Sequence, residues 1–283
     1  MSDKNYRIQV MTPKQLELSI EWAAQEGWNP GLHDADSFRS ADPTGFLIGL
    51  LNEEPIASIS VVKYGDSFGF LGFYIVKPEF RGQGYGLQLW NAGLEYLAGR
   101  NIGLDGVEDQ QDNYKKSGFR LAYGNIRYEG QGGGSAPETE GLVDLANIPF
   151  EIVNSYDKAF FPADREQFLR HWINQPGTSA MGIERNGRLA GYGVIRECRS
   201  GYKVGPLFAD SADLAELLFR ALKAEIKPTD LIYLDVPEVN ERAVALAEKY
   251  NMNAVFKTAR MYTGKFPDLP LDRTFGVTTF ELG

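Results

Sequence analysis

Stretches of this chain match one another at a nearly fixed offset, and that repeat limits the fold more than any other feature. "PIASISVV" aligns with "RLAGYGVI" when Ile56 is set opposite Leu189, an offset of 133 residues. "YKKSGFRLAYGNIRY" aligns with "AEKYNMNAVFKTARM" at the same offset, placing Tyr114 opposite Ala247 and Arg127 opposite Arg260. Between them "GLDGV" and "YLDVP" align with Asp105 opposite Asp235, an offset of 130, so the second copy has a later helix three residues longer. Chance agreement of single residues is cheap, but agreement of element order with near-constant spacing is not. The chain reads as two copies of one fold. Its 283 residues suit two medium domains. "EGQGGGSAPETEG", residues 129–141, is glycine-rich and without periodicity, and marks a linker between units 1–130 and 138–283.

The first copy reads helix, β-hairpin, strand, glycine loop, helix, strand, short helix, strand. Thr12 and Gln15 form a capping box with Pro13 at the first helical position, and Gly27 closes that helix. "GFLIGLL" and "IASISVV" flank "NEEP" as a hairpin, and "FLGFYIV" is a further strand. Leu87, Trp90, Leu94 and Leu97 recur at helical spacing and predict a buried stripe. "NIGLDGV" is a strand, "EDQQDNYKKSG" a short helix and "FRLAYGNIRYEG" a last strand. The second copy repeats this order. The expected class is α+β, layered: two folds in tandem, each a mixed, mostly antiparallel sheet flanked by helices.

Composition narrows the function. A net charge of -9 and no lysine/arginine block argue against nucleic acid or an anionic membrane as partner. Cys198 is the only cysteine, and the two histidines, His33 and His171, stand in no metal-ligand spacing, so no metal is expected. "MSDKNYRIQV" lacks an apolar signal core, which gives a cytoplasmic expectation.

"PEFRGQGYGLQLW", residues 78–90, carries the chemistry. Gly82, Gly84 and Gly86 sit where a strand hands over to a helix, and each is entropically costly. A phosphate held by backbone N–H groups at a helix N-terminus accounts for them. A dinucleotide fingerprint fails, because Leu87 stands where a small residue is required and the loop follows the wrong strand. A Walker A loop fails for want of Gly-Lys-Ser/Thr. In the second copy "KVGPLFA" runs straight into "DSADLAELLFRAL", with Ser211 or Asp210 as cap and no glycine loop.

"RGQGYG" resembles the pyrophosphate loop of the GNAT acetyltransferase superfamily, and "YKKSGF" resembles its Tyr-x-x-x-Gly-Phe element. "VPEVNERAVALAEKYNM" is similar to the family's N-x-x-A element, with Asn251-Met252 where Gly-Phe is usual. The whole resembles the tandem branch, with one intact and one degenerate copy. The resemblance implies acetyl-CoA as cosubstrate, its pantetheine arm lying where "FLGFYIV" and "NIGLDGV", two parallel central strands, splay apart. It implies backbone contacts from Tyr74 and Val76, contacts near phosphate from Arg81, Gly82, Gln83, Gly84, Tyr85 and Gly86, and a cofactor contact from Asn113. It implies Tyr114 as the acid that protonates the departing thiolate, a role suited to a phenol of ordinary pKa ~10. "EGWNPGLHDADSF", residues 26–38, is expected to be a loop bordering the acceptor, with Trp28, Asn29, His33 and Asp34 as candidate substrate contacts. No acid on "FLGFYIV" offers itself as base. The function implied is N-acetyl transfer to a small-molecule amine or a peptide, by a monomer or homodimer; the alternative is a CoA-binding or sensing protein without turnover. Ala247 in place of Tyr114, and Asp210 and Asp213 at the helix start, imply that the second copy binds no CoA and walls the acceptor site across an apolar face.

Overall fold

The computed structural model describes residues 5–283. The first copy contains β1 (Tyr6–Val10), α1 (Pro13–Gln25), α2 (Asp34–Ala41), β2 (Phe46–Leu51), β3 (Glu54–Tyr64), β4 (Phe68–Val76), α3 (Tyr85–Tyr96), β5 (Asn101–Val107), α4 (Gln111–Lys116) and β6 (Arg120–Gln131). The second contains β7 (Leu142–Asp144), α5 (Phe150–Asp157), α6 (Glu166–Trp172), β8 (Thr178–Arg185), β9 (Arg188–Glu197), β10 (Tyr202–Ala209), α7 (Ala212–Ala224), β11 (Leu231–Pro237), α8 (Glu241–Lys249), β12 (Asn253–Tyr262) and β13 (Thr274–Gly276). Among the described residues no helix is long and apolar enough to cross a membrane.

Local chemistry set most of these boundaries. The Thr12–Gln15 capping box is present, and Gly27 follows α1 at φ 81°. Ser211 caps α7 by accepting from the Leu214 N–H. The β2–β3 turn is tighter than four residues: Asn52 and Glu53 alone make it, both at positive φ, as a two-residue hairpin demands. Two elements escape sequence reading. β1 is an edge strand with no buried face to give it a period, and α2 lies inside the stretch expected to be a loop. Leu87 is 62% exposed at the cleft's edge, and the buried face of α3 is Tyr85, Leu89, Trp90 and Gly93, with Leu97 buried just past its end. β6 continues through Gln131, so the first residues of the 129–141 stretch are strand.

One sheet holds every strand, in the order β1-β2-β3-β4-β5-β12-β6-β11-β10-β9-β8-β7, with β13 beside β10. The copies have exchanged their last long strands. β12 pairs with β5, β6 pairs with β11, and the two pair with one another. The register puts Arg127 opposite Asp235 and Arg260 opposite Asp105. Each guanidinium makes a bidentate contact with its carboxylate: Arg127 to Asp235 at 2.6 and 2.7 Å, Arg260 to Asp105 at 2.7 and 2.5 Å. The four residues that the repeat aligned are therefore paired crosswise, each arginine with the other copy's aspartate. Buried pairs of this kind add little net stability, but a wrong register would strand four buried charges, so they specify the exchange.

Between the copies lies a cluster joining Leu16, Trp22 and Phe38 to Phe168, Trp172 and Phe208, with Phe38 stacked on Trp172 at 6.0 Å. This is the apolar face that the repeat implied.

Each copy has a fork. β4 and β5 pair in parallel from Phe68 opposite Asn101 to Leu71 opposite Leu104 and then separate. Phe73 at φ 45° and a register shift against β3 bend β4 away. β10 and β11 pair from Tyr202 opposite Ile232 to Val204 opposite Leu234 and also separate. The second fork is filled by β13, which pairs with β10 at Leu207 and Phe208, and by the Val277 N–H, which donates to Asp235 O at 2.8 Å. The first fork is open.

Candidate active site

The open fork forms the floor of a cleft of about 790 Å³. Gly72 to Val76 make one wall and Leu104 to Val107 the other; Arg81, Gly82, Gly84, Gly86 and Leu87 stand at one end. Trp28, Phe256, Thr258, Phe280 and Glu281 line it further in.

Strand alternation turns the right backbone groups inward. The Lys77 N–H donates to Ile56 O on β3, so the backbone groups of Val76 and Tyr74 face the opposite way, into the cleft. The Val76 carbonyl is already taken by Arg81 Nε at 2.7 Å. Both residues line the cleft where the resemblance puts a pantetheine arm.

The three loop glycines answer two different needs. Gly82 and Gly84 hold φ 73° and 87°, with nothing packed near either, so they are required by backbone conformation. Gly86 is required by packing: a Cβ there would lie 2.6 Å from the Tyr74 hydroxyl and 2.8 Å from a Val76 methyl. Close helix–strand contact thus falls on Gly86, one residue before Leu87. Among the described residues, no backbone N–H from Gly82 to Leu87 donates to a protein acceptor; the first to do so is that of Gln88, to Gly84 O. Six donors at the positive end of α3 fit a diphosphate.

The other loop candidates are placed differently. Arg81 is exposed and its guanidinium pairs with Glu26 across the cleft mouth, so it is not a free phosphate ligand. The Gln83 side chain folds back to Glu79 O. Tyr85 turns inward against Tyr6, centroids 4.9 Å apart, and leaves only its N–H to the loop. Asn113 does not line the cleft. It sits on the exposed side of α4, bonded to Gln110 and Lys116.

Tyr114 does line it. The ring stacks on Trp90 at 5.5 Å and covers Gly106, where any Cβ would collide with it. Its hydroxyl makes no hydrogen bond within the described residues. Burial, aided by the neighbouring Tyr74, pushes its pKa up to about 12, so the phenol stays protonated through the neutral range.

Of the four acceptor-side candidates only Trp28 reaches the cleft. Asn29 exchanges hydrogen bonds with Ser200 and accepts from Lys203 Nζ at 2.9 Å, fastening the copies together. His33 is exposed outside the cleft. Asp34 is fully buried, paired with Arg196 at 2.9 Å and accepting from the Gly31 N–H, so it meets no acceptor. A loop rich in polar residues invited a binding role; Asn29 and Asp34 are spent on structure, while Trp28 lines the cleft.

The residues that sequence reading missed come from the other copy. Phe256 and Thr258 arrive on the exchanged β12, and Phe280 and Glu281 on the segment after β13. The crosswise equivalence of Asp105 with Asp235 and Arg127 with Arg260 was the one signal for β12; nothing in "VTTFELG" pointed to the cleft.

Comparison with known proteins agrees with this architecture. Residues 14–119 match the acetyltransferase (GNAT) family model, and residues 153–276 match an acetyltransferase (GNAT) domain model. Holothin acyltransferase of Pseudoalteromonas sp. (strain SANK 73390) is 32% identical over 270 residues, covering 95% of this chain and 92% of that protein. The crystal structure of a putative acetyltransferase from Pyrococcus horikoshii superposes with a TM-score of 0.82 at 25% identity, covering 100% of this chain and 98% of that one. A tandem GNAT protein from the clavulanic acid biosynthesis pathway, at 13% identity, shares the fold with a TM-score of 0.65 over 93% of this chain and all of that one. With an open, donor-lined fork in one copy and a filled fork in the other, the chain belongs to the GNAT acetyltransferases as two domains in tandem.

Proposed function

We propose that this acyltransferase uses acetyl-CoA and passes the acetyl group to the amine of a small molecule, with residues 1–130 holding the cosubstrate and 138–283 completing the acceptor site. One juxtaposition carries the reading: unspent N–H donors at one end of the cleft, and a buried, unpartnered phenol on its wall. When bound, acetyl-CoA would supply a thioester open to direct attack by an amine. The chain's part is to orient and to manage protons. The N–H groups from Gly82 to Leu87 hold the diphosphate, and the inward backbone of Tyr74 and Val76 aligns the arm. Burial holds the Tyr114 phenol protonated through the neutral range, so its hydroxyl can donate a hydrogen bond to the departing thiolate and, as charge builds on sulfur, its proton. Trp28, Phe256 and Phe280 give the acceptor end three aromatic walls, which favour a compact apolar amine over an extended peptide. The similarity to holothin acyltransferase supports acyl transfer.

The test is incubation of the whole chain with acetyl-CoA and a panel of alkyl and aryl amines. Thiol release and the mass of the product are followed together. An acetylated amine with one equivalent of free CoA is the expected result. Tight CoA binding with no product across the panel would refute turnover and leave a CoA-binding protein.

A further inference from the structure

A general base is missing from β4, and the segment after β13 supplies a carboxylate in its place. Residues Thr274 to Gly283 are buried without interruption. The segment fills the second copy's fork as β13 and then crosses to the first. There the Tyr64 hydroxyl donates to Leu282 O at 3.1 Å, and Arg165 donates to Thr278 Oγ1 and Gly283 O at 3.1 and 3.2 Å. The Glu281 backbone lies directly on Gly72, the first residue of β4 beyond its last pair with β5; a Cβ at Gly72 would collide with the Glu281 carbonyl. Gly72 and Gly106 are thus matched seats on the two arms of the fork, one under Glu281 and the other under Tyr114.

Glu281 belongs to the cleft lining, and its carboxylate is half satisfied. Glu281 is 5% exposed and lines the cleft. Thr279 Oγ1 donates to its Oε2, while Oε1 receives no hydrogen bond from the described residues. Nearby, Thr258 Oγ1 is buried against the same cleft with no partner. Asp105, the other deep carboxylate, is spent: Arg260 takes both its oxygens and Asn125 donates to one of them at 2.8 Å.

Charged groups surround Glu281 on every side. It is faced by Asp105 on β5, Arg127 on β6, Arg196 on β9 and Lys203 on β10. Arg127, Arg196 and Arg260 each have their own aspartate, in Asp235, Asp34 and Asp105. Among the described residues Lys203 has no carboxylate partner within salt-bridge distance, and it rests on Asn29 O. Lys203 and Glu281 are therefore the unpaired cation and anion of one balanced buried set.

We propose that Glu281, delivered by the degenerate copy, is the general base for the acceptor amine, a role that rests on the acyl-transfer reading above. The amine nitrogen forms its bond to the acyl carbon as the carbon–sulfur bond breaks. The ammonium proton passes to Glu281 Oε1, and the thiolate takes the Tyr114 proton. Exchange with solvent then restores both groups.

Glu281→Gln keeps the shape of the side chain and removes its basicity; Glu281→Asp keeps the basicity and shortens the reach. With acetyl-CoA and the best amine of the panel, Glu281→Gln should lower kcat by about 10²-fold or more and erase the acid limb of the kcat/KM profile, while Glu281→Asp recovers part of the rate. CoA affinity by calorimetry should be unchanged in both. The carboxyl carbon-13 resonance absent from Glu281→Gln should titrate in the wild type across the same pH window as that limb. A Gln variant with normal kcat and an intact acid limb overturns the proposal, as does a parallel loss of CoA affinity and rate. The wild-type rate tests transfer itself and the variant-to-wild-type ratio tests Glu281, so the two failures are distinct.

Discussion

Replacing Arg127 by Met should show how much of the exchanged architecture rests on one guanidinium. Met keeps much of the stem that runs between the Phe256 and Phe280 rings, 5.7 and 5.0 Å from the guanidinium carbon. What disappears is the pair of bonds to Asp235 and the one to Trp28 O at 2.7 Å. Asp235 is 1% exposed and would be left charged and underpaired, with Lys203 and Arg196 as its remaining cationic neighbours. Removing one partner of a buried pair costs about 3–5 kcal/mol. At roughly 2–4 °C per kcal/mol for a large domain, melting should fall by roughly 6–20 °C. The sign of the pH dependence follows from Asp235. Burial alone would raise its carboxyl, but Arg127's charge and hydrogen bonds more than reverse this and hold it below its ordinary value of 3.8. The stability it contributes is full above that value and drains as pH falls through the lower folded one. The gap between wild type and Arg127→Met should therefore be widest near neutrality and narrow in acid. Adding Asp235→Leu to Arg127→Met removes the stranded charge and should recover most of the loss. Scanning calorimetry from neutral pH to below pH 4 reads all of this. A single variant melting within 2 °C of wild type, or a double variant as unstable as the two losses added, would refute the reasoning.

Tyr114→Phe keeps the stack on Trp90 and removes a hydroxyl that bonds nothing among the described residues, so stability should hold while kcat falls by about 10²-fold with little change in KM for acetyl-CoA; a near-normal kcat would leave Tyr114 a packing residue. Gly84→Val cannot keep φ 87° without strain, and since nothing lies within 4 Å of where its Cβ would go the damage should stay local. CoA affinity should drop tenfold or more, ~1.4 kcal/mol, and an unchanged calorimetric Kd would sink the diphosphate assignment. Titration of the whole chain with CoA should give one site; two sites of comparable affinity would contradict the filled second fork.

Much of this was legible because local chemistry wrote it. The capping box at Thr12, the positive-φ glycines and the repeat itself are short-range patterns, and each appears where it was read. Failures arose where a side chain's role is decided by what lies far away in sequence. Asp34 looked like a loop carboxylate open to a ligand, but Arg196 arrives on β9 to bury it. Leu87 fits a helical stripe by spacing, but α3 starts so late that its first turn faces the cleft. The exchange of β6 and β12 changes no element's period, so only the register could reveal it.

The filled fork also accounts for the decay of the second copy in a way its sequence could not. A fork exposes unpaired strand backbone on both arms, and buried backbone must find partners. In the first copy the two arms line an open cleft. In the second, β13 and Val277 satisfy them from within the chain, and a Cβ at Gly205 would meet the Val277 and Thr278 carbonyls at 2.7 and 2.5 Å. Once that space is occupied by the chain itself, a phosphate loop has nothing to bind and a tyrosine at position 247 has nothing to protonate. A direct passage into Ser211 and α7, and Ala247 beneath the sheet, then carry no penalty. The same segment continues to Glu281 in the open fork. The degenerate copy has therefore exchanged a ligand site of its own for a wall, and a carboxylate, in its partner's.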